Sequence, residues 1–338
     1  MRGCFRCRQP GIDSWQKLGG PQQLEHGSLL VPSCPRALVP LRSCPIPRTA
    51  IESSLQLFAA AGKSMASDVR GRLVCVGTGM MLGGHLSPRA RAEIEQADVV
   101  YAAMSDGLVE LWLRELNPAF HSLQPLYQEG LPRTQTYEAM VRTLIDAVAA
   151  GQRVCGAFYG HPAVFAWVPH EAVRRARRLG FDARLEPGIS AEDCLYADLG
   201  LDPGQTGCQH YEASQFMLFR RRIDTSACLI LWQPAIAGDR STARFSTGSA
   251  YLQLLVDVLN RDYPSEHEVI LYRAATLGIE APRMTRLALQ DLPSAELTLA
   301  DTLVIPPLTA MIADASVRAR LDQLDQLEIE ARHGHAAD

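Results

Sequence analysis

Two apolar periods alternate between residues 70 and 200. Residues 73–76, 99–103 and 154–158 are short continuous apolar runs bounded by Gly, Pro or polar residues, the pattern of strands buried on both faces. Between them the spacing lengthens to that of a helix. Ser87-Pro88 starts a segment running to Gln96, and Asp106 starts another with Leu108, Val109, Leu111, Trp112 and Leu116 on its apolar side. Residues 123–127 read as extended. Pro132 then opens a helix whose Met140, Val141, Leu144, Ile145 and Val148 lead to Gly151. Residues 172–179 form a helix with Arg174, Arg175, Arg177 and Arg178 on one face, a run that is usually a solvated surface. This β-α-β-α alternation predicts an α/β fold with a largely parallel sheet.

Beyond Leu199-Gly200 the pattern becomes strand-rich. Strands are expected at 208–213, 228–232, 268–272, 285–289 and 302–305, with one helix over 249–259. The expected organisation is a largely parallel sheet domain over 69–188, a mixed α/β domain over 189–308 and a charged helical tail over 309–338. Residues 1–68 have scattered Pro, more Arg than acid and no sustained period, so they read as a poorly ordered extension, with Met65 a candidate start.

The strand exits carry the candidate chemistry. Residues 154–158 break abruptly at Gly160 and Pro162, and residues 183–186 run into Pro187-Gly188 and then Ser190, an N-cap followed by acidic Glu192 and Asp193. The first strand opens into Gly77-Thr-Gly79 and Gly83-Gly84-His85, which lets backbone approach a ligand closely but lacks the register of a dinucleotide fingerprint. Paired strand ends with Gly-rich exits facing one crevice are where an open α/β sheet binds small molecules. Farther on, Arg133 and Tyr137 are four residues apart on one helix face, with Tyr127 just before its first turn. Two phenols and a guanidinium brought together there form either a reactive cluster or a Tyr packed over an Arg at a helix end.

Composition narrows the class. The chain's 338 residues, 47% of them hydrophobic, are enough to bury two cores, and a net charge of −4 gives neither a nucleic-acid footprint nor a membrane patch. No apolar run approaches the ~20 residues of a bilayer span. Nine cysteines without a regular framework point to a reducing, cytoplasmic setting. Cys4-Phe-Arg-Cys7 has metal-ligand spacing, but no second such pair follows, so no metal is expected.

Taken in order, GTGMMLGGH, LYQEGLPRTQTY, FYGHPAVF, PGISAEDCLYADLGLDP, CQHYEA, LWQP and DTLVIPP lie within residues 71–308. On these motifs the chain resembles the tetrapyrrole methylase superfamily of S-adenosylmethionine enzymes, and within it the borosin peptide α-N-methyltransferases. The resemblance implies a two-domain tetrapyrrole-methylase-like fold and a homodimer. It implies a cofactor site lined by Tyr159, His161, Val164, Phe165, Ser190, Ala191, Gln233, Ala274 and Thr302, and catalysis by Tyr127, Arg133 and Tyr137. The tetrapyrrole enzymes have Gly-Asp-Pro where this chain has Gly160-His161-Pro162, and they lack the Tyr-Arg-Tyr cluster, which favours a peptide substrate. Fused members carry that peptide as a hydrophobic C-terminal extension. Here the tail ends Arg-His-Gly-His-Ala-Ala-Asp, which implies the split type, acting on a separate precursor peptide. In the mechanism so implied, a phenol whose pKa is lowered by Arg133 removes the amide proton. A tetrapyrrole or other small-molecule methylase on the same fold is the alternative reading. A non-catalytic S-adenosylmethionine-binding module is the reading from another class, and it leaves the Tyr-Arg-Tyr cluster without a purpose.

Overall fold

The computed structural model describes residues 71–334 apart from residue 129, with side chains up to residue 329. The expectations for the extension 1–68, for Cys4 and Cys7 and for Met65 lie outside the described residues. Five strands, β1 (Arg72–Gly77), β2 (Val99–Ala103), β3 (Phe120–Ser122), β4 (Arg153–Phe158) and β5 (Asp182–Glu186), form an all-parallel sheet in the order β3-β2-β4-β1-β5. The crossovers are α1 (Pro88–Gln96), α2 (Gly107–Leu116), α3 (Arg133–Ala149) and α4 (Trp167–Arg178).

Because side chains alternate along a strand, the apolar run of β1 serves both faces of this sheet. Leu73 and Cys75 pack with Met140, Leu144 and Val148 of α3 and Val173 and Ala176 of α4. Val74 and Val76 pack with Ile94 of α1 and Leu113 of α2 on the opposite side.

The second sheet is mixed. It contains β6 (Cys208–Glu212), β7 (Cys228–Trp232), β8 (Glu268–Arg273), β9 (Arg283–Ala288) and β10 (Thr302–Ile305) in the order β6-β7-β10-β8-β9, with only β6 and β7 parallel. One face buries Leu229, Leu231, Val269, Leu271, Leu303 and Ile305 against Leu255, Val256 and Leu259 of α8 (Ser249–Leu259). The other buries Ile230, Trp232, Ile270, Tyr272 and Val304 against Leu195 of α5 (Ala191–Leu199). Short helices α6 (Pro203–Thr206) and α7 (Ala213–Leu218) flank β6, and α9 (Ala315–Gly334) ends the described chain.

The differences from expectation have local causes. Residues 124–126 form a 3-10 turn instead of extended chain, since Pro125 sets a helical φ and the Tyr127 N–H donates to the Gln124 carbonyl at 2.9 Å. Strand β3 has only three residues and pairs along one side only, so it leaves no apolar run to read. Helix α4 starts at Trp167, ahead of its basic face, with Pro169 tolerated in the first turn. The apolar side expected for α2 is split. Val109, Trp112 and Leu116 pack against the core, whereas Leu108 and Leu111 are 50% and 60% exposed.

Candidate functional site

Parallel pairing sets the C-terminal ends of β1, β4 and β5 along one edge of the first sheet, and their exits are locked together there. The Thr78 N–H donates to the Phe158 carbonyl at 2.9 Å, and Gly79 and Gly160 exchange N–H···O bonds of 3.1 and 2.9 Å. A Cβ on Gly77 would lie 2.4 Å from the Gly160 carbonyl oxygen, and one on Gly188 would reach the same oxygen at 2.4 Å. Three loops therefore meet at a point only bare backbone can occupy. Gly160 itself adopts φ +66°.

The residues beyond this junction are tightly held. The Ala163 N–H donates to His161 Nδ1 at 3.0 Å, so the neutral ring carries its proton on Nε2. Val164 N donates to the His161 carbonyl at 3.2 Å, closing a turn that ends at Phe165 with φ +49°. Ser190 caps α5 in a capping box. Its hydroxyl donates to the Asp193 carboxylate at 2.8 Å and accepts from the Asp193 N–H at 3.3 Å, so its side chain is occupied by the fold. Ala191 follows and packs against the core that contains Leu195 and Ile230.

The corresponding edge of the second sheet carries the remaining cofactor candidates. Gln233 leaves β7 with φ +57°, Ala274 follows β8 and is buried, and Thr302 opens β10 directly opposite Trp232 and Tyr272. Contacts from the first half bring the two edges together. The Leu82 N–H donates to the Thr276 carbonyl at 2.8 Å, Met80 packs into the core that holds Ala274, and the Phe165 ring lies 5.4 Å from Trp232. Positive φ at two non-Gly residues, Phe165 and Gln233, concentrates backbone strain where the edges face each other. Beneath Phe165, Trp232 is 8% exposed and its indole N–H has no hydrogen-bond partner among the described residues.

The phenols assemble beside the exit of β4, which Tyr159 follows. Tyr127 and Tyr137 cross edge to face with ring centroids 6.2 Å apart, and Tyr137 stacks on Trp167 at 6.2 Å. The Thr136 hydroxyl donates to the Leu126 carbonyl at 3.2 Å, fixing the turn before Tyr127 against α3. Tyr159 is 50% exposed, and the protein packed around it pushes its phenol pKa up, with Tyr137 adding to the shift.

The expected depression of a phenol pKa by Arg133 is not what the geometry produces for Tyr127. Burial drives the Tyr127 phenol far above its ordinary value, Tyr137 and Tyr159 raise it further, a hydrogen bond to Tyr137 adds to this, and the opposing Arg133 charge is the smallest effect. The guanidinium itself is engaged by other partners. Arg133 donates to the Arg244 carbonyl at 2.9 Å and to Asp239 Oδ2 at 3.5 Å. Burial alone would raise the Asp239 pKa, but hydrogen bonds from Ser241 and from the Ser241 and Arg244 backbone, with the Arg133 charge, hold it below the usual carboxylate range. Arg133 therefore ties helix α3 to the loop after β7, a link completed by its own N–H to the Thr242 carbonyl at 2.8 Å.

A linkage consequence follows from Tyr127. The folded state keeps its phenol protonated while the unfolded chain ionises near pH 10, so its contribution is fully present below that pH and is lost above it. Urea unfolding at pH 9 and pH 11 is expected to show a larger loss of stability in the wild type than in Tyr127→Phe.

Sequence reasoning missed Asp239, Trp167 and Trp232. Asp239 meets Arg133 across 106 positions, so no local spacing announces it. Trp232 had a signal in the LWQP motif, and Trp167 in its place at the start of α4.

Residues 72–292 match the family model described as tetrapyrrole (corrin/porphyrin) methylases. The chain belongs to that family. A uroporphyrin-III-C-methyltransferase from Thermus thermophilus shares this methylase fold with a TM-score of 0.52 at 22% identity, covering 70% of this chain and 95% of that one. A cobalt precorrin-4 methyltransferase does so with a TM-score of 0.52 at 18% identity, covering 72% and 98%. In sequence, this chain is 38% identical over 248 residues to a methyltransferase/ribosomally synthesized type I borosin cyclic peptide precursor of Coprinopsis marcescibilis, covering 72% of this chain and 63% of that protein. It is 33% identical over 258 residues to the methyltransferase/omphalotin A precursor of Omphalotus olearius, covering 75% and 62%. The matched stretch thus spans less than two thirds of each of these relatives.

The strand exits are compatible with the S-adenosylmethionine that the family implies. The Gly77, Gly160 and Gly188 junction keeps the strand exits bare of side chains next to half-exposed Tyr159, so a ligand can approach their backbone closely.

Proposed function

We propose that this chain is an S-adenosylmethionine-dependent methyltransferase that methylates successive backbone amide nitrogens of a ribosomally made precursor peptide. The observation that carries the reading is the contact of Tyr137 with Tyr127 and Trp167, next to the strand exits where Tyr159 stands. The borosin relatives support a peptide as substrate. Phe165, Ser190, Gln233 and Thr302 would border the cofactor, with His161, Val164, Ala191 and Ala274 completing the wall. The bound cofactor supplies an activated methyl group.

The protein's task is to make an amide nitrogen nucleophilic. Its lone pair is delocalised into the carbonyl, so a proton must leave while negative charge moves onto oxygen. Tyr127, held neutral by burial, is suited to donate a hydrogen bond; given to the Tyr137 oxygen, that bond stabilises a phenolate. Tyr137 then takes the amide proton, and Arg133 supplies positive charge beside the pair while holding the loop after β7 in place.

The peptide is taken to be a separate chain. The deciding assay incubates enzyme, S-adenosylmethionine and a candidate precursor, then places each methyl-sized mass increment by tandem mass spectrometry. Increments on consecutive backbone nitrogens are expected. Methylation confined to side chains, or turnover of a precorrin-type substrate with none on peptide, would sink the reading. Enzyme incubated with the cofactor alone is expected to keep its mass, and automethylation would show that the peptide is carried in cis.

A homodimer is part of the same proposal, since Leu108 and Leu111 of α2 leave an apolar patch uncovered. Light scattering at micromolar concentration is expected to give twice the 37.1 kDa chain mass. A monomer at that concentration contradicts it.

A further inference from the structure

A groove of about 680 Å³ lies along α4 and is lined by Trp167, Arg174, Arg177, Arg178, Arg184 and Leu185, among others. Part of this positive charge is balanced locally. Arg174 is paired with Glu171, and Arg184 with Glu186 and Glu93. Arg177 spends only its Nε hydrogen on the Ala183 carbonyl, at 2.7 Å, and Arg178 has no partner among the described residues. Both are exposed. Cations in the last turn complement the helix dipole, which accounts for their presence on α4. The dipole does not account for a concave wall, or for Trp167, 47% exposed, at one end of it.

Trp167 is the link to the chemistry, because the ring that lines this groove also stacks on Tyr137 at 6.2 Å. A chain lying in the groove would pass directly to the phenol pair. We propose that the groove binds an acidic segment of the peptide substrate, a short run of Asp or Glu displaced along the chain from the residue being methylated; this rests on the peptide reading above. Guanidinium forks match carboxylates in a bidentate manner, and an indole offers area to the intervening apolar side chains. Helical rise places Arg174 and Arg178 about 10 and 16 Å along α4 from Trp167. With the stacking distance added, an extended peptide at about 3.3 Å per residue would carry its acidic residues roughly five to seven positions from the methylated one.

The probe is fluorescein-labelled decaglutamate, titrated with the full chain and followed by anisotropy at low salt. Saturable binding that weakens as salt rises is expected. The double variant Arg177→Glu, Arg178→Glu should lose about tenfold or more in affinity. Arg222→Glu, an exposed charge reversal outside the groove, should lose little, with melting temperatures confirming that each variant folds. Arg178→Glu alone, which breaks no contact, keeps the test valid if the double variant is unstable. Absence of saturable binding overturns the proposal, as does equal loss in Arg222→Glu or tighter binding of a deca-thymidylate oligonucleotide. The readout needs neither cofactor nor turnover, so the two readings fail separately. Amide methylation without decaglutamate binding sinks only the groove, and decaglutamate binding without amide methylation sinks only the substrate reading.

Discussion

Tyr137→Phe is expected to lower methylation turnover by about 10²–10⁴-fold, the usual worth of a positioned general base, while cofactor and peptide affinities stay near those of the wild type. The phenyl ring preserves the stacking on Trp167 and the edge contact with Tyr127, so only the oxygen is lost. A group that acts mainly in the transition state shows this split between turnover and binding. Single-turnover kinetics with saturating cofactor measure it, and wild-type turnover in Tyr137→Phe would remove Tyr137 from the chemistry. Arg133→Ala is a less selective change. Besides withdrawing charge from the phenol pair, it leaves buried Asp239 without its cation and loosens residues 239–244, so turnover and melting temperature should fall together. Parallel melting curves separate the two effects. A large drop in turnover with unchanged stability would mean that the tether is unimportant and the charge alone matters.

Gly188→Ala is expected to abolish measurable cofactor binding and to cost stability of about 1–3 kcal/mol, as overpacking of a closed junction does. Its new methyl would lie 2.4 Å from the Gly160 carbonyl and 2.7 Å from the Gly77 Cα, and all of the nearest atoms are backbone, so no side chain can move aside. Relief requires one of the three strand exits to shift, and two of them lead into residues proposed to line the cofactor: 159–165 after β4 and 190–191 after β5. Calorimetry with S-adenosylhomocysteine and thermal melting test both parts. Gly107→Ala is the control. Nothing lies within 4 Å of its added methyl, and at the first position of α2 an Ala is neutral or slightly stabilising. Wild-type affinity and melting temperature in Gly188→Ala would mean that the junction does not shape the proposed cofactor site.

Much of the architecture is readable from periodicity alone. The runs at 99–103, 228–232 and 302–305 and the helix at 249–259 coincide with β2, β7, β10 and α8, because each buries a continuous or regularly spaced apolar set. Elements that bury little left less trace. Strand β3 has three residues, and α6 and α7 have four and six, too few for any period to emerge. The cap at Ser190 was legible because the capping box needs only residues three apart, and the structure shows both of its hydrogen bonds.

By itself the sequence determined the order of the longer strands and helices, the Gly-rich exits and the presence of two phenols and a guanidinium near one helix start, since each depends on neighbours within a few positions. The tertiary structure alone decided what those groups can do. The ionisation of Tyr127 is set by how much protein surrounds it, and that protein comes from elements far apart in the chain. The charge of Arg133 is shared with Asp239, which lies in a loop that only the pairing of the two sheet edges brings near. Desolvation and Coulomb interactions depend on distance in space, and a spacing along the chain fixes such distances only inside one helix turn or one strand.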